Sequence, residues 1–194
     1  MAKSWLVACA VFAFSAQAVF ASDADIKAMA KAIEQKSAIG QYEEAWRDLG
    51  DLESILWEKR PLGISSALFV QKPATGYGLY LPRENSEFRK DEPIFVYLQP
   101  VGYGYARSED LFRIALTADF ELRTPSGQVL AEQQAFSRLS LESRAPNREF
   151  QASFSFTFEG LEPGRYTLLL RIRDENGGQR TETALPFVIA PDAG

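Results

Sequence analysis

Alternation of apolar and polar side chains is the feature that most restricts the fold of this chain. Over residues 150–158, phenylalanine or alanine occupies every second position, with glutamine, serine or threonine between them. Residues 111–123 and 166–172 show the same two-residue period. Successive side chains of a β-strand point to opposite faces of its sheet, so this period predicts strands with one face in a core and one in water.

Turn residues separate these segments along the chain. Thr124–Gly127 follows the segment over 111–123, and Asp174–Gly178 provides an Asn-Gly hairpin tip after the segment over 166–172. Short strands separated by turns are typical of an antiparallel β-sandwich, and no strand-helix alternation suggests a parallel sheet. The other expected strands cover residues 64–70, 93–99, 129–136 and 185–189.

Residues 23–59 have a helical period instead. Gly40 divides them into two amphipathic stretches, and Pro61 ends the second. The second stretch has an apolar stripe that comprises Tyr42, Ala45, Trp46, Leu49, Leu52 and Leu56. Gly40–Ala45 resembles the turn inside a tetratricopeptide unit, but only one copy is present and a solenoid needs about three. We therefore expect one helical hairpin, which packs on the sandwich or projects from it.

The segment Leu161–Tyr166 resembles the corner between the last sheet-crossing strands of immunoglobulin-like and fibronectin type III-like domains. The resemblance implies that Gly164 belongs to the turn and that Tyr166 donates a hydrogen bond to the backbone upstream. It concerns architecture only, because this fold hosts unrelated functions. The expected fold class is mainly β: an immunoglobulin-like antiparallel β-sandwich preceded by a short α-helical hairpin.

The first 21 residues have the organisation of a signal peptide. Lys3 precedes an apolar run over 5–14, and small residues allow cleavage after Ala18 or Ala21. Cleavage after Ala21 is favoured because a polar, helix-capping segment follows it. The apolar run is short for a span of ~20 residues, and the lipobox-like segment before Cys9 comes too early for a lipoprotein.

Export predicts a periplasmic or secreted protein that is not an integral membrane protein after cleavage. The expected domains are a leader over 1–21, a hairpin over 22–60, a sandwich over 61–190 and a tail over 191–194.

Composition argues against several classes of function. The chain has no histidine, and its single cysteine, Cys9, lies in the leader. Imidazole and thiolate chemistry are therefore missing from the mature chain. No metal, no cofactor and no catalytic residue is expected, although Glu92, Asp119, Glu121 and Glu132 supply carboxylates. A net charge of −5 argues against a nucleic acid as partner.

Tyrosines beside glycines are the candidate ligand-binding residues. The candidates are Tyr77 and Tyr80 before Arg83, and Tyr103 and Tyr105 before Arg107. Their rings could stack on sugars, and the arginines could hold a carboxylate. The favoured interpretation is structural: glycine permits bulges or close backbone approach, and the tyrosines cover the edge of the core.

Two functions remain open at this point. The favoured one is a non-catalytic module that binds another envelope protein through sandwich loops or the hairpin. The alternative is a carbohydrate-binding module for an envelope or extracellular glycan, which requires exposed, coplanar tyrosine rings. The basic group Arg138, Arg144 and Arg148 fits either an acidic-partner patch or, as favoured, a hydrated loop.

Overall fold

A computed structural model describes residues 21–191 of the chain. The expected leader, apart from Ala21, and the last three residues of the expected tail lie outside this range. The chain divides into two compact units, with the boundary between Ile55 and Leu56. The described part is mainly β, with two helices before two sandwich-like sheets, which confirms the predicted fold class at this level.

The two predicted helices are present as α1 (Asp23–Ala38) and α2 (Tyr42–Lys59). A capping box starts α1: Ser22 Oγ accepts from the Asp25 N–H, and the Asp25 carboxylate accepts from the Ser22 N–H at 2.7 Å. Gly40, at a φ of 79°, follows the C-terminal end of α1. The N–H groups of Gly40 and Gln41 donate to carbonyls in the last turn of α1, as in a Schellman motif. Glycine is needed here because this backbone conformation is strained for other residues.

Within residues 21–191, nine strands follow the helices. They are β1 (Gly63–Val70), β2 (Glu87–Phe88), β3 (Ile94–Val101), β4 (Ala106–Ser108), β5 (Leu111–Arg123), β6 (Val129–Ser143), β7 (Ala152–Phe156), β8 (Gly164–Asp174) and β9 (Arg180–Ile189). The first sheet has the order β1-β3-β7. The second has the order β2-β9-β8-β5-β4, with β6 also paired to β5. All pairs are antiparallel except β2 with β9.

The core consists largely of residues that the alternation assigns to the apolar face of each strand. Phe154 and Phe156 of β7, Leu168 and Leu170 of β8 and Phe187 of β9 are all buried. Each such side chain contributes about 1.5–3 kcal/mol when it is fully removed from water. The hydrophobic pattern therefore orients each of these strands, because turning one over would place its apolar face in water.

A bulge interrupts β6. Ala118 pairs with Ser137 and Phe120 pairs with Gln133, so three residues of β6 lie opposite Asp119 alone. Ala135, in the bulge, has a φ of 50°, and its N–H donates to Asp119 Oδ1 at 2.6 Å. This hydrogen bond satisfies one main-chain donor that the interrupted ladder leaves without a strand partner. Beyond the bulge, β6 continues to Ser143, past the segment that the sequence predicts.

Candidate functional site

An exposed apolar patch lies on α2, in the first unit. Trp46 is 75% exposed, Tyr42 69% and Leu49 44%. Their spacing places them on one flank of the helix's apolar face, while Ala45 and Leu52 on the other flank are buried. We call Tyr42, Trp46 and Leu49 the hairpin patch. Isolated exposed apolar residues are ordinary, but adjacent large ones mark interaction surfaces.

The surroundings of the hairpin patch are acidic. Over Tyr42–Lys59 the chain has six acidic and two basic residues. Within the first unit, Lys36 Nζ of α1 lies 2.5 Å from Asp48 Oδ2 of α2, so an ion pair joins the two helices. The patch therefore has an apolar centre beside a predominantly negative helix surface.

The second unit has its own exposed apolar group in the loop after β1. Tyr77 is 40% exposed, Leu79 63% and Leu81 50%. The Leu79 N–H donates to Gly76 O, which closes a tight turn, and the Gly78 N–H donates to the buried Tyr97 hydroxyl at 2.7 Å. The hydrogen bonds fix the loop backbone while leaving these side chains accessible. Tyr80 packs inward, with its ring centroid 4.2 Å from that of Tyr97.

The other two candidate tyrosines belong largely to the core. Tyr103 is 1% exposed, and its hydroxyl donates to Asn147 O at 3.0 Å. Tyr105 is half-buried and donates to the same carbonyl at 2.8 Å. Burial, followed by the neighbouring Tyr105, raises the pKa of Tyr103. The exposure that a stacking platform requires is therefore absent at Tyr103, because its ring fills the core.

Tyr103 also contacts the last turn of α2, which belongs to the second unit. The Trp57 indole Nε1 donates to Tyr103 O at 2.9 Å, and the two ring centroids lie 5.0 Å apart at an edge-on angle. Both partners of this pair gain apolar burial as well as the hydrogen bond. The geometry explains why a tyrosine in this loop points inward.

The glycines around Tyr103 permit close approach. A Cβ on Gly102 would lie 2.3 Å from Pro61 O, and one on Gly104 would lie 3.3 Å from Asp174 Oδ2. Gly102 also has a φ of 72°. These contacts support the structural interpretation of the Gly102–Tyr105 motif.

The guanidinium groups of the two candidate arginines stack over different phenylalanine rings. Arg83 Nη1 donates to Glu92 Oε1 at 2.7 Å, and its guanidinium carbon lies 4.2 Å from the centroid of Phe88. Arg107, which is exposed, lies 4.8 Å from the centroid of Phe112. Arg83 is therefore engaged by a carboxylate and a main-chain carbonyl of this chain.

The corner residues have the geometry that the resemblance implies. Tyr166 Oη donates to Glu162 O at 2.8 Å, four residues upstream. Gly164 is the first residue of β8, directly after the connection that leaves β7 in one sheet and enters the other. The Tyr166 hydrogen bond therefore joins the start of β8 to the connection that precedes it.

The outer face of the second sheet has a row of arginines that the hydrophobic pattern does not predict. Thr117 of β5 pairs with Arg138 of β6 on one side and with Arg173 of β8 on the other. Arg173 in turn pairs with Arg180 of β9. We call Arg138, Arg173 and Arg180 the arginine row. Arg138 therefore lies in a strand, and not in the hydrated loop that the sequence favours.

Within the described residues, only one member of the arginine row forms an ion pair. Arg173 Nη2 donates to Asp119 Oδ1 at 3.1 Å. Within residues 21–191, Arg138 and Arg180 form no ion pair. The row therefore has an excess of positive charge. Two surface depressions are both lined by Arg173. The larger, of about 660 Å³, is also lined by Arg138. The smaller, of about 300 Å³, is also lined by Arg180.

Farther along the same face, two arginines and two glutamates pair with one another and balance in charge. Glu121 of β5 accepts hydrogen bonds from Arg171 and from Arg123, and Arg171 also donates to Glu182 at 3.1 Å. The hydrogen bond from Arg171 lowers the pKa of Glu121, burial opposes this, and Arg123 lowers it further. Glu121 is therefore ionised at neutral pH, whereas a general acid needs a raised pKa.

Metal-binding clusters and membrane-spanning helices are the remaining kinds of site to consider. Among residues 21–191, no group of three or more potential metal-ligating side chains is close enough to hold an ion. In that same part of the chain, no helix has both the length and the apolar character needed to cross a membrane.

Comparisons with known proteins add little to this picture. No protein-family model matches the sequence, and no curated protein matches it. The crystal structure of Spo0M, a sporulation control protein from Bacillus subtilis, is similar with 9% sequence identity and a TM-score of 0.36. The match covers 68% of this chain and 50% of that one, so the chain spans about half the length of the Spo0M structure. A similarity this low carries no argument about fold or function.

Proposed function

We propose that this chain is an exported, non-catalytic interaction module whose helical hairpin binds another protein of the cell envelope. The exposure of the hairpin patch is the observation that carries the proposal. Tryptophan and tyrosine dominate the binding energy of protein interfaces, where they fill pockets on the partner. A tryptophan that is 75% exposed, as Trp46 is, leaves most of that apolar surface available for burial.

Charge specifies the partner further. Because α2 is predominantly acidic, the complementary surface has an apolar pocket for Trp46 with lysine or arginine at its rim. Rim charges steer association and select partners, while the buried aromatic group supplies most of the affinity. The loop with Tyr77, Leu79 and Leu81 offers a smaller, separate contact on the sandwich.

The strand arrangement supports an immunoglobulin-like or fibronectin type III-like scaffold. The order β9-β8-β5-β6 corresponds to a G-F-C-C′ sheet, and β1-β3-β7 corresponds to an A-B-E sheet. The Tyr166 hydrogen bond agrees with the corner of these folds. Such a scaffold presents loops and strand edges but does not specify a function, so the proposal depends on the hairpin patch.

The carbohydrate-binding alternative receives less support. Tyr103 is buried and Tyr80 packs on Tyr97, so the four tyrosines do not form one exposed plane. A single exposed ring, Tyr77, offers little stacking surface. We therefore favour a protein partner.

Site-specific photo-crosslinking in living cells tests the proposal. A photoreactive phenylalanine analogue at Leu49 should give one main adduct, whereas the analogue at Asp51, on the polar face of α2, should give little. Trp46→Ala in the Leu49 variant should abolish the adduct. Alanine favours helix, so circular dichroism should show unchanged helical content. Identical products from positions 49 and 51, or an adduct that persists in Trp46→Ala, would contradict the proposal.

Export has its own test. The mass of the protein recovered from the periplasm or the medium should correspond to a chain that begins at Ser22, or at Val19 if cleavage follows Ala18. Recovery of the full-length chain from the cytoplasm alone would remove this part of the proposal.

A further inference from the structure

The arginine row combines three cations in a geometry that is unfavourable without a counter-charge. Arg173 and Arg180 lie directly opposite each other on adjacent antiparallel strands. Like charges in this position destabilise a sheet pair. Asp119 forms an ion pair with Arg173, and of the three arginines it balances only this charge by direct contact. Two of the three guanidinium groups therefore lack an ion-pair partner within residues 21–191.

The hydrogen bonds of Arg173 also indicate that the arginine row lacks acceptors. Its Nη2 is used by Asp119, but its Nε is buried and has no hydrogen-bond partner in the described part of the chain. A buried donor without a partner is costly, and donors on a guanidinium favour carboxylate acceptors. Arg173 lines both depressions, so an anionic acceptor that entered either of them would lie beside a positively charged side chain.

From these observations we propose that the arginine row binds an extended acidic segment of a protein partner. Arg138 and Arg180 are separated by three strand spacings of about 4.8 Å, or about 14 Å in total. One small anion cannot span that backbone distance. A peptide in extended conformation repeats its side chains on one face every ~7 Å, so three alternate acidic residues cover the row.

Neighbouring acids favour a peptide over a dense polyanion. Asp119 and Glu182 lie in the next row of the sheet, and Glu175 borders the larger depression. Closely spaced anionic groups would meet these carboxylates at the same time as the arginines. A peptide can place neutral residues opposite them. The site is on the sandwich, and its existence does not depend on the hairpin patch.

Fluorescence anisotropy with a labelled peptide of alternating glutamate and serine tests this inference. The full mature chain should bind the peptide, and a glutamine-for-glutamate version should bind much more weakly. Arg138→Gln and Arg180→Gln should each weaken binding about twofold to fivefold, the range expected for exposed ion pairs. Raising the ionic strength should weaken binding as well.

Arg144→Gln is the matched control, since it removes the same charge from an exposed residue beyond the end of β6. It should leave binding unchanged. Neither Arg138→Gln nor Arg180→Gln should unfold at a lower temperature than the wild type, because neither arginine has an ion pair to lose within the described residues. Arg180→Gln also removes the like-charge pair with Arg173, so a small increase in its unfolding temperature is expected. No binding by the wild type, an equal loss in Arg144→Gln, or tighter binding of polygalacturonate than of the peptide would overturn the inference.

Discussion

The main-chain N–H of Gly104 donates a 2.7 Å hydrogen bond to Oδ2 of Asp174, which joins the loop after β3 to the end of β8. Asp174 is 2% exposed, and its Oδ1 accepts from the Asn176 N–H at 2.9 Å. The Asn176 side-chain amide donates to Gly104 O at 3.0 Å in return. Asp174 and Asn176 therefore make the hairpin after β8 a polar connection between two loops, and not only a solvated turn.

Replacing Asp174 by asparagine should destabilise the protein. The asparagine amide presents one oxygen and one NH₂ group, so one of the two main-chain donors, the N–H of Gly104 or of Asn176, loses its acceptor and meets another donor. We expect a loss of about 1–3 kcal/mol in the free energy of unfolding. Urea denaturation monitored by tryptophan fluorescence measures it. Glu175→Gln, at the neighbouring position, should change stability by less than about 0.5 kcal/mol. Equal stability of both variants would refute this role for Asp174.

Gly102→Ala should be more damaging than an ordinary glycine substitution in a turn. The positive φ costs about 1–3 kcal/mol for a residue with a side chain, and the new Cβ would also collide with the Pro61 carbonyl. Gly127→Ala separates the two effects, because Gly127 has a φ of 87° but no atom within 4 Å of the Cβ that alanine would add. The denaturation midpoint of Gly102→Ala should fall clearly below that of Gly127→Ala. A similar midpoint for both would show that the loop yields without cost.

Acid should remove the contribution of Glu121. Its pKa is lowered in the folded protein, chiefly by Arg171, from an ordinary value of 4.5. Its stabilisation is therefore complete above the unfolded-state pKa and is lost as the pH falls through the folded-state pKa. Urea unfolding of wild type and Glu121→Gln from about pH 7 to about pH 3 should give a stability difference that shrinks toward acid. A difference independent of pH would mean that ionisation of Glu121 does not matter.

Tyr166→Phe should show the value of the corner hydrogen bond. The ring keeps its packing against Phe187, while the donor to Glu162 O is lost. We expect a decrease of about 0.5–1.5 kcal/mol in the free energy of unfolding. Tyr77→Phe provides the comparison, since Tyr77 is an exposed loop residue, and it should have almost no effect. If both variants unfold at the same urea concentration as the wild type, the corner contributes nothing measurable.

The period of the apolar residues predicts most strands, but it misses very short strands and strand segments in which polar residues occupy inner positions. The predicted strand over 111–123 coincides with β5, and the helical break at Gly40 is observed. β2 and β4 contain two and three residues, too few to show a period. The second half of β6 is missed because Ser137 and Ser143 occupy inner positions beside Leu139 and Leu141, which weakens the alternation.

The arginine row illustrates what a linear pattern cannot supply. Alternation assigns Arg173 to the outer face of its strand, but it does not specify the register between strands. Arg138 and Arg173 are brought onto one line by β5, which lies between their strands in the sheet. The exposure of Trp46 is likewise invisible in the sequence, since an apolar stripe on a helix indicates which face can be buried and not how much of it is.

The bulge in β6 interrupts the free edge of the second sheet. Among the described residues, β6 pairs only with β5, so a strand of 15 residues borders the second sheet with one side unpaired. A straight ribbon of that length would be a template for sheet growth from molecule to molecule. Ala135 divides it into two shorter stretches with different local twist, so a second copy could align with only one stretch at a time. The irregular backbone opposite Asp119 thus shortens the regular stretch of free strand edge on which a second copy could pair.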